Sequence, residues 1–255
     1  MMVMRKRGHK SVRKAGRQVS FTVTNMRNIH EVCNALTTTQ CGYLMRLQCH
    51  ISYEEGTLIN ADKTPMNRRD MINELKLTKK RSTFYDFLSA CLEHDIIRKE
   101  NDNYTVNNKY HFKGTFNDKY VIKSYITKIK QIYKEVKASD IGLIYRMLPY
   151  VNLKTNTLCE NPFESDLVKL KPFNLSELAN AIGISSGEIG RRLPKMKFGD
   201  EYVIAKVKFN EKKSYMVNPW VFYRDHDDPH PALQHVFDAK SVVKPTKIKY
   251  WIFMD

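Results

Sequence analysis

The sequence predicts an α+β fold, mostly helical, built from two tandem copies of one unit, and three observations predict it. Residues 21–60 align on residues 121–160 without a gap, and apolar residues recur at helical spacing in the same places of both segments. Both segments are then followed, in one order, by a short helix, a turn, a further helix and a pair of strands. The 255 residues, 42% of them hydrophobic, suffice for two cores of ordinary size, and each half is expected to close its own.

The elements follow in order. Met26, Ile29, Val32, Cys33 and Leu36 mark one face of a first helix, as Ile126, Ile129, Ile132, Tyr133 and Val136 do in the second copy. A second helix runs through Gly42, Tyr43, Leu44, Arg46 and Leu47, matched by Gly142, Leu143, Ile144, Arg146 and Met147, so that the glycine and the arginine coincide. A short extended piece ends in Thr57-Leu58 or Thr157-Leu158, after which the second copy carries an insertion of about seven residues within 160–171. Residues 67–77 then lie against 174–184, a short helix and a turn, and the closing segments 104–107 and 215–218 correspond. Helix, helix, short strand, helix, turn, helix, strand, turn, strand is the order of a winged helix-turn-helix. The expectation is therefore two tandem winged helix-turn-helix domains related by internal duplication, at 21–115 and 116–225, between an arm at 1–20 and an extension at 226–255.

In the first copy residues 78–94 supply the turn and the last helix, with Phe84, Phe87, Leu88, Cys91 and Leu92 as its buried stripe. Its amino-terminal turn holds Thr78, Lys79, Lys80, Arg81, Ser82 and Thr83, with Tyr85 and Asp86 beyond, and Thr78 or Ser82 is expected to cap it. In this fold that end enters the major groove, where cationic and hydrogen-bonding side chains read base edges while the hairpin touches the backbone. Residues 96–99 and 104–112 are expected to form the hairpin about Asn101-Asp102-Asn103, with Lys99 and Lys109 reaching phosphates.

In the second copy residues 175–182 form the supporting helix, and Ser185, Ser186, Gly187 and Glu188 open the next one in the manner of a capping box. Ser185, Ser186, Arg191, Arg192 and Lys195 are its candidate contacts, with Lys197 beyond. Pro194 stands where the first copy continues its helix, and a proline has no amide hydrogen to donate, so this helix is expected to be short or kinked. Residues 202–209 and 213–224 form a longer wing that turns at residues 210–213. Lys206 and Lys208 lie on one face, opposite Ala205, Val207 and Phe209, and Lys212 and Lys213 sit at the tip.

Charge points the same way. Lys and Arg number 43 against 27 Asp and Glu, a formal +16, which favours a polyanionic partner. No carboxylate precedes Glu31, while Arg5, Lys6, Arg7, Lys10, Arg13, Lys14 and Arg17 crowd the first residues, the composition of a disordered basic arm. Arg5, Lys6, Arg7, Arg13 and Lys14 are its candidate phosphate contacts. No stretch approaches the roughly 18 apolar residues of a membrane span and no signal-peptide core follows Met1, so no membrane partner is expected, and the location expected is the cytoplasm, on the nucleoid. Cys33, Cys41, Cys49, Cys91 and Cys159 contain no C-x-x-C pair and read as buried thiols.

The segment YMVNPWVFYR at residues 215–224 resembles the closing strand of winged-helix replication proteins of Gram-positive plasmids and phages, the RepL type. YTVNNKYHFK at residues 104–113 echoes it, with Asn108 in place of the proline. The two-unit plan is similar to that of iteron-binding plasmid initiators, whose paired winged helices divide dimerisation and DNA contact. What the resemblance implies is replication or transcriptional control on a mobile element.

Catalytic chemistry is not expected. Nicking would need a His-apolar-His metal pair, which His230-Pro231-Ala232 does not supply, and no G-x-x-x-x-G-K-[ST] loop cradles a nucleotide. The group Asp225, His226, Asp227, Asp228, His230 and His235 has metal-binding atoms but reads as a polar loop, so neither cofactor nor metal is expected. The final residues 242–253 read as a strand or an oligomer contact. The function expected is sequence-specific binding of double-stranded DNA by an origin-binding replication initiator, with operator binding by a repressor as the alternative and a winged-helix protein-interaction module as the second. A metal-dependent nuclease or recombinase comes last. Partners expected besides the duplex are a second copy on repeated or palindromic sites and host replication or transcription proteins.

Overall fold

Two short strands that helical periodicity passes over tie the halves of the chain together. In the computed structural model, which describes residues 20–116, 118, 120–209, 212–224, 229–238 and 246–247, the fold is mixed α/β. The first half runs β1 (Phe21–Asn25), α1 (Ile29–Ala35), α2 (Thr38–Leu47), α3 (Arg68–Glu74), α4 (Arg81–Glu93), β2 (Ile97–Glu100), β3 (Asn103–Val106) and β4 (His111–Phe112). The second runs β5 (Val121–Tyr125), α5 (Ile126–Glu135), α6 (Ala138–Met147), α7 (Leu175–Ile182), α8 (Ser186–Arg192), β6 (Lys197–Phe198), β7 (Glu201–Tyr202), β8 (Ile204–Phe209), β9 (Lys212–Val217) and β10 (Phe222–Tyr223). α9 (Gln234–Phe237) and β11 (Thr246–Lys247) follow.

β1 and β5 pair antiparallel at the centre of a four-stranded sheet of order β10-β5-β1-β4. Phe21 faces Tyr125, Val23 faces Lys123 and Asn25 faces Val121, so a shift of one hundred residues exchanges the partners. β4 adds to β1 through Thr24–His111, and β10 adds to β5 through Ser124–Phe222, at corresponding positions.

α2 and α6 obey the same reciprocity. They run antiparallel in backbone contact because each carries a glycine at the crossing: a Cβ on Gly42 would overlap the Ala138 carbonyl, and one on Gly142 the Thr38 carbonyl. Arg146 reaches from α6 into the first half and donates to the Cys33 and Leu36 carbonyls at the end of α1, both at 2.8 Å.

Outside the central sheet the two halves repeat their hydrogen bonds. Ile51 bridges Leu58 and Val151 bridges Leu158, while Thr57 bridges Thr105 and Thr157 bridges Met216, which makes the short extended piece a third strand beside each hairpin. Asn107 and Asn218 turn the chain from hairpin to central sheet in one way: each side-chain amide donates to a carbonyl before the hairpin (Asp95 at 2.8 Å, Tyr202 at 3.0 Å), and each side-chain oxygen accepts from the amide two residues on. The hairpins are therefore shorter than the sequence suggests. The first ends at Val106 and the second at Val217, and the aromatic segments beyond them belong to the central sheet.

The expectation of separately cored halves is corrected. One hydrophobic core runs from Met26 to Phe222 through both halves, because the glycine crossing brings Leu44, Leu47, Ile144 and Met147 into a common interior. A smaller cluster joins Ala205, Val207 and Met216 of the second hairpin to Leu233, Val236 and Phe237, so the start of the extension covers one face of that wing. β11 pairs parallel with β8 at Val207 and Lys208. All five cysteines are buried and free.

Candidate nucleic-acid interface

α4 is positioned from beneath. Phe84, Phe87 and Cys91 are fully buried and Leu88 nearly so; each large side chain of this kind contributes roughly 1.5–3 kcal/mol to holding the helix on the core. Phe87 meets the Tyr43 ring of α2 edge-on at 5.6 Å. The helix before it is fixed independently. Asn67 caps α3 by accepting from the Arg69 and Asp70 amides while Asp70 returns a bond to the Asn67 amide, and Asn174 and Glu177 do the same for α7. Glu74 at the end of α3 is ion-paired to Arg46 of α2 and lies 3.1 Å from His50, and the His50 hydrogen bond, then the Arg46 charge, hold its carboxyl down to about 2 against the cost of burial.

The turn between α3 and α4 passes through the left-handed region at Lys76 (φ 56), and the turn between α7 and α8 does so at Gly183 (φ 74). Beyond it Thr78, Lys79, Lys80, Arg81 and Ser82 are exposed, Thr83 is half-buried and Tyr85 is 47% exposed, with Asp86 and Ser89 exposed further along the same face. The cap expected at Thr78 or Ser82 is instead Lys80, which has no side-chain capping bond, so the side chains of Thr78 and Ser82 are not spent on the helix end. The surface thus presents two ammoniums, a guanidinium, hydroxyls and a carboxylate on one rigid element, with donors and acceptors of the kind that base edges and phosphates take.

The equivalent surface of the second half is reduced. α8 ends after seven residues where Leu193–Lys195 tighten into a 3-10 turn at Pro194, as expected of the proline. Ser185 caps it by accepting from the Glu188 amide at 3.1 Å, but the reciprocal bond is missing because Glu188 accepts from Arg192 at 2.6 Å. Arg192 also donates to Asp140 of α6 at 2.5 Å and is only 18% exposed, so this candidate contact is corrected to a structural one. Ser185, Arg191 and Lys195 are exposed and Ser186 is half-buried.

The hairpins flank these helices. Lys99 is on β2, 3.7 Å from Asp102 in the turn; Lys206, Lys212 and Lys213 are exposed and Lys208 half-buried on the second wing. Residues 210 and 211 of its tip lie outside the described residues. Lys109 is corrected: it stands past the hairpin, in the turn into β4, and donates to Glu31 at 2.5 Å, which raises its pKa above the ordinary lysine value and lowers that of Glu31. The arm residues Arg5, Lys6, Arg7, Arg13 and Lys14, and Asp225–Asp228 of the polar loop, lie outside the described residues. Among the described residues no group of His, Cys, Asp and Glu is placed to hold a metal ion, and no helix is long and apolar enough to cross a membrane.

Sequence reasoning missed the exposed Arg69 and Ser89, and Lys76, Lys134 and Lys137, which share a cleft beside α4. For Ser89 the signal was present, since it falls seven residues from Ser82 on the face opposite the apolar stripe. Comparison with protein-family models, with curated proteins and with solved structures finds no match.

Proposed function

We propose that the chain is a sequence-specific double-stranded DNA-binding protein, a tandem pair of winged helix-turn-helix units that serves as a replication initiator of a plasmid or phage. The observation that carries this reading is α4, a 13-residue helix anchored by a buried aromatic stripe and preceded by a short capped helix and a tight turn, whose amino-terminal end is cationic through Lys79, Lys80 and Arg81 and whose outer face continues in the hydrogen-bonding side chains of Ser82, Tyr85, Asp86 and Ser89. The reciprocal pairing of β1 with β5, the glycine crossing of α2 and α6 and the repeated bridges beside the hairpins support a tandem origin of the halves. Support for the replication role is the likeness of residues 215–224 and 104–113 to the closing strand of RepL-type proteins. No chemistry on the DNA is assigned: the protein acts by occupying a site, and α4 supplies most of the discrimination because α8 is short and its Arg192 is engaged.

Selection of bound duplexes from a random library tests the reading, with enrichment of one motif as the expected result. On that motif Lys80→Ala combined with Arg81→Ala is expected to lower affinity about tenfold or more, and random duplex less, since contacts to base edges discriminate by about 1–3 kcal/mol each. Lys212→Ala with Lys213→Ala is expected to weaken both duplexes equally, as backbone contacts do. No enriched motif, or equal losses from the helix variant on both duplexes, would remove the proposal. Maintenance of a plasmid carrying the bound host fragments, lost with the helix variant, is the expected sign of initiation rather than repression.

A further inference from the structure

A cleft of about 360 Å³ opens where the turn between α3 and α4 faces the junction of α5 and α6. Lys76 and Lys80 line it from the first half, and Lys134 and Lys137 from the second. All four are exposed, and no ion pair holds any of them among the described residues. Glu135, the carboxylate on the same rim, accepts from the Gly199 amide at 2.8 Å.

Four ammoniums stand against the single carboxylate of Glu135 around this cleft, so its rim carries a net positive charge that an anion would offset. The backbone adds a second sign. Lys76 has φ 56, a conformation that disfavours a side chain by roughly 1 kcal/mol, and at the matching turn of the second half the residue is Gly183, with φ 74. Lys76 thus places an ammonium at the cleft where the matching turn of the second half has no side chain.

We infer that this cleft is a binding site for the phosphate backbone of DNA, a clamp in which the second half of the chain grips the strand next to the groove occupied by α4. The inference rests on the DNA-binding reading and deepens it. Lys80 is both the last residue before α4 and a wall of the cleft, so a strand passing the amino-terminal end of that helix meets Lys134 and Lys137 directly. The ligand is sequence-independent phosphate, since ammoniums at the ends of flexible stems neutralise charge without reading base edges. The site also explains why the halves must be joined: neither half alone carries all four cations.

The test uses the full-length chain, a duplex of about 30 base pairs carrying the selected motif, and a random duplex of equal length. Two variants separate binding from folding. Lys134→Ala with Lys137→Ala removes the contribution of the second half. Lys76→Gly removes an ammonium while relieving the turn, so its thermal midpoint is expected to be unchanged or higher. For each, affinity should fall by the same factor on both duplexes, and the slope of log affinity against log salt should flatten by about 0.9 for every lysine removed. An unaltered slope and affinity in both variants, with the parent binding DNA normally, overturns the clamp and leaves the DNA-binding reading intact. Loss confined to the selected motif also overturns it, since that would be base recognition. A parent that binds neither duplex overturns both.

Discussion

Gly142→Ala is expected to destabilise the protein by about 3 kcal/mol or more, because among the described glycines its added Cβ would meet the tightest backbone overlap. The Cβ would overlap the Thr38 carbonyl, a backbone atom of the facing helix that has no rotamer into which it can withdraw, and it would also stand 3.1 Å from the Gly42 nitrogen. Helix propensity works the other way, since alanine is favoured over glycine by about 1 kcal/mol inside a helix, but the overlap forces α2 and α6 apart along their length and opens the core on both sides. Gly187→Ala in α8 is the control, because nothing lies within 4 Å of its Cβ and the change should be neutral or mildly stabilising. Urea midpoints for the two variants decide the matter: a Gly142→Ala midpoint equal to that of the parent would show that the helices do not meet in this way.

Acid should weaken the fold well before the carboxylates titrate. His111 is completely buried between Thr24 Oγ1 at 3.0 Å and the Tyr145 hydroxyl at 2.7 Å, and burial brings its pKa from 6.5 down to about 3. The unfolded chain therefore takes up a proton that the folded chain refuses, so the contribution of this group is fully present above about pH 6.5 and is lost as the pH falls toward 3. The loss amounts to about 1.4 kcal/mol per pH unit within that window, or on the order of 2 kcal/mol at pH 5. His30, whose pKa is also lowered by partial desolvation although its side chain is exposed, adds in the same direction. The second half places Phe222 where the first has His111, so His111→Phe should lose part of its stability at pH 8 through the two hydroxyls left without a partner, yet show a much flatter stability curve between pH 5 and 7. A variant curve as steep as that of the parent would assign the acid sensitivity elsewhere.

Much of this architecture can be read along the chain. The stripe at Phe84, Phe87, Leu88 and Cys91 is buried as its spacing requires, whereas Leu92, expected on the same stripe, is corrected to an exposed position in the last turn of the helix; the matched stripes of α1 and α5 are buried too, and Pro194 ends α8. Asn67 and Asn174, aligned by the repeat, turn out to be equivalent caps. β1 and β5 could not be read in the same way. A strand exposed on one face alternates apolar with polar, but Thr22, Val23 and Thr24 are buried in succession, as are Val121, Ile122, Lys123 and Ser124, so no period of two marks them. Their pairing joins residues about one hundred apart, which no local pattern encodes, and the single core follows from it. At the candidate site the errors have one origin. Charge at a position is visible in the sequence, whereas its partner is not: Arg192 meets Asp140 fifty-two positions away, and Lys109 meets Glu31 seventy-eight away.

The backbone contact at Gly42 and Gly142 packs the halves helix on helix, and a chain joined in this way would act as a caliper on DNA bound as proposed. The gap between α4 and α8 would then be fixed by the fold, and a duplex touched by both would have to bring its own features to that one pitch. Half a helical turn, about 5 base pairs, inserted between two such contacts would carry one of them to the far side of the duplex. Bending or twisting to close a smaller mismatch would fall on the DNA, and the stiffness of bases outside the contacts would then enter the selection proposed above.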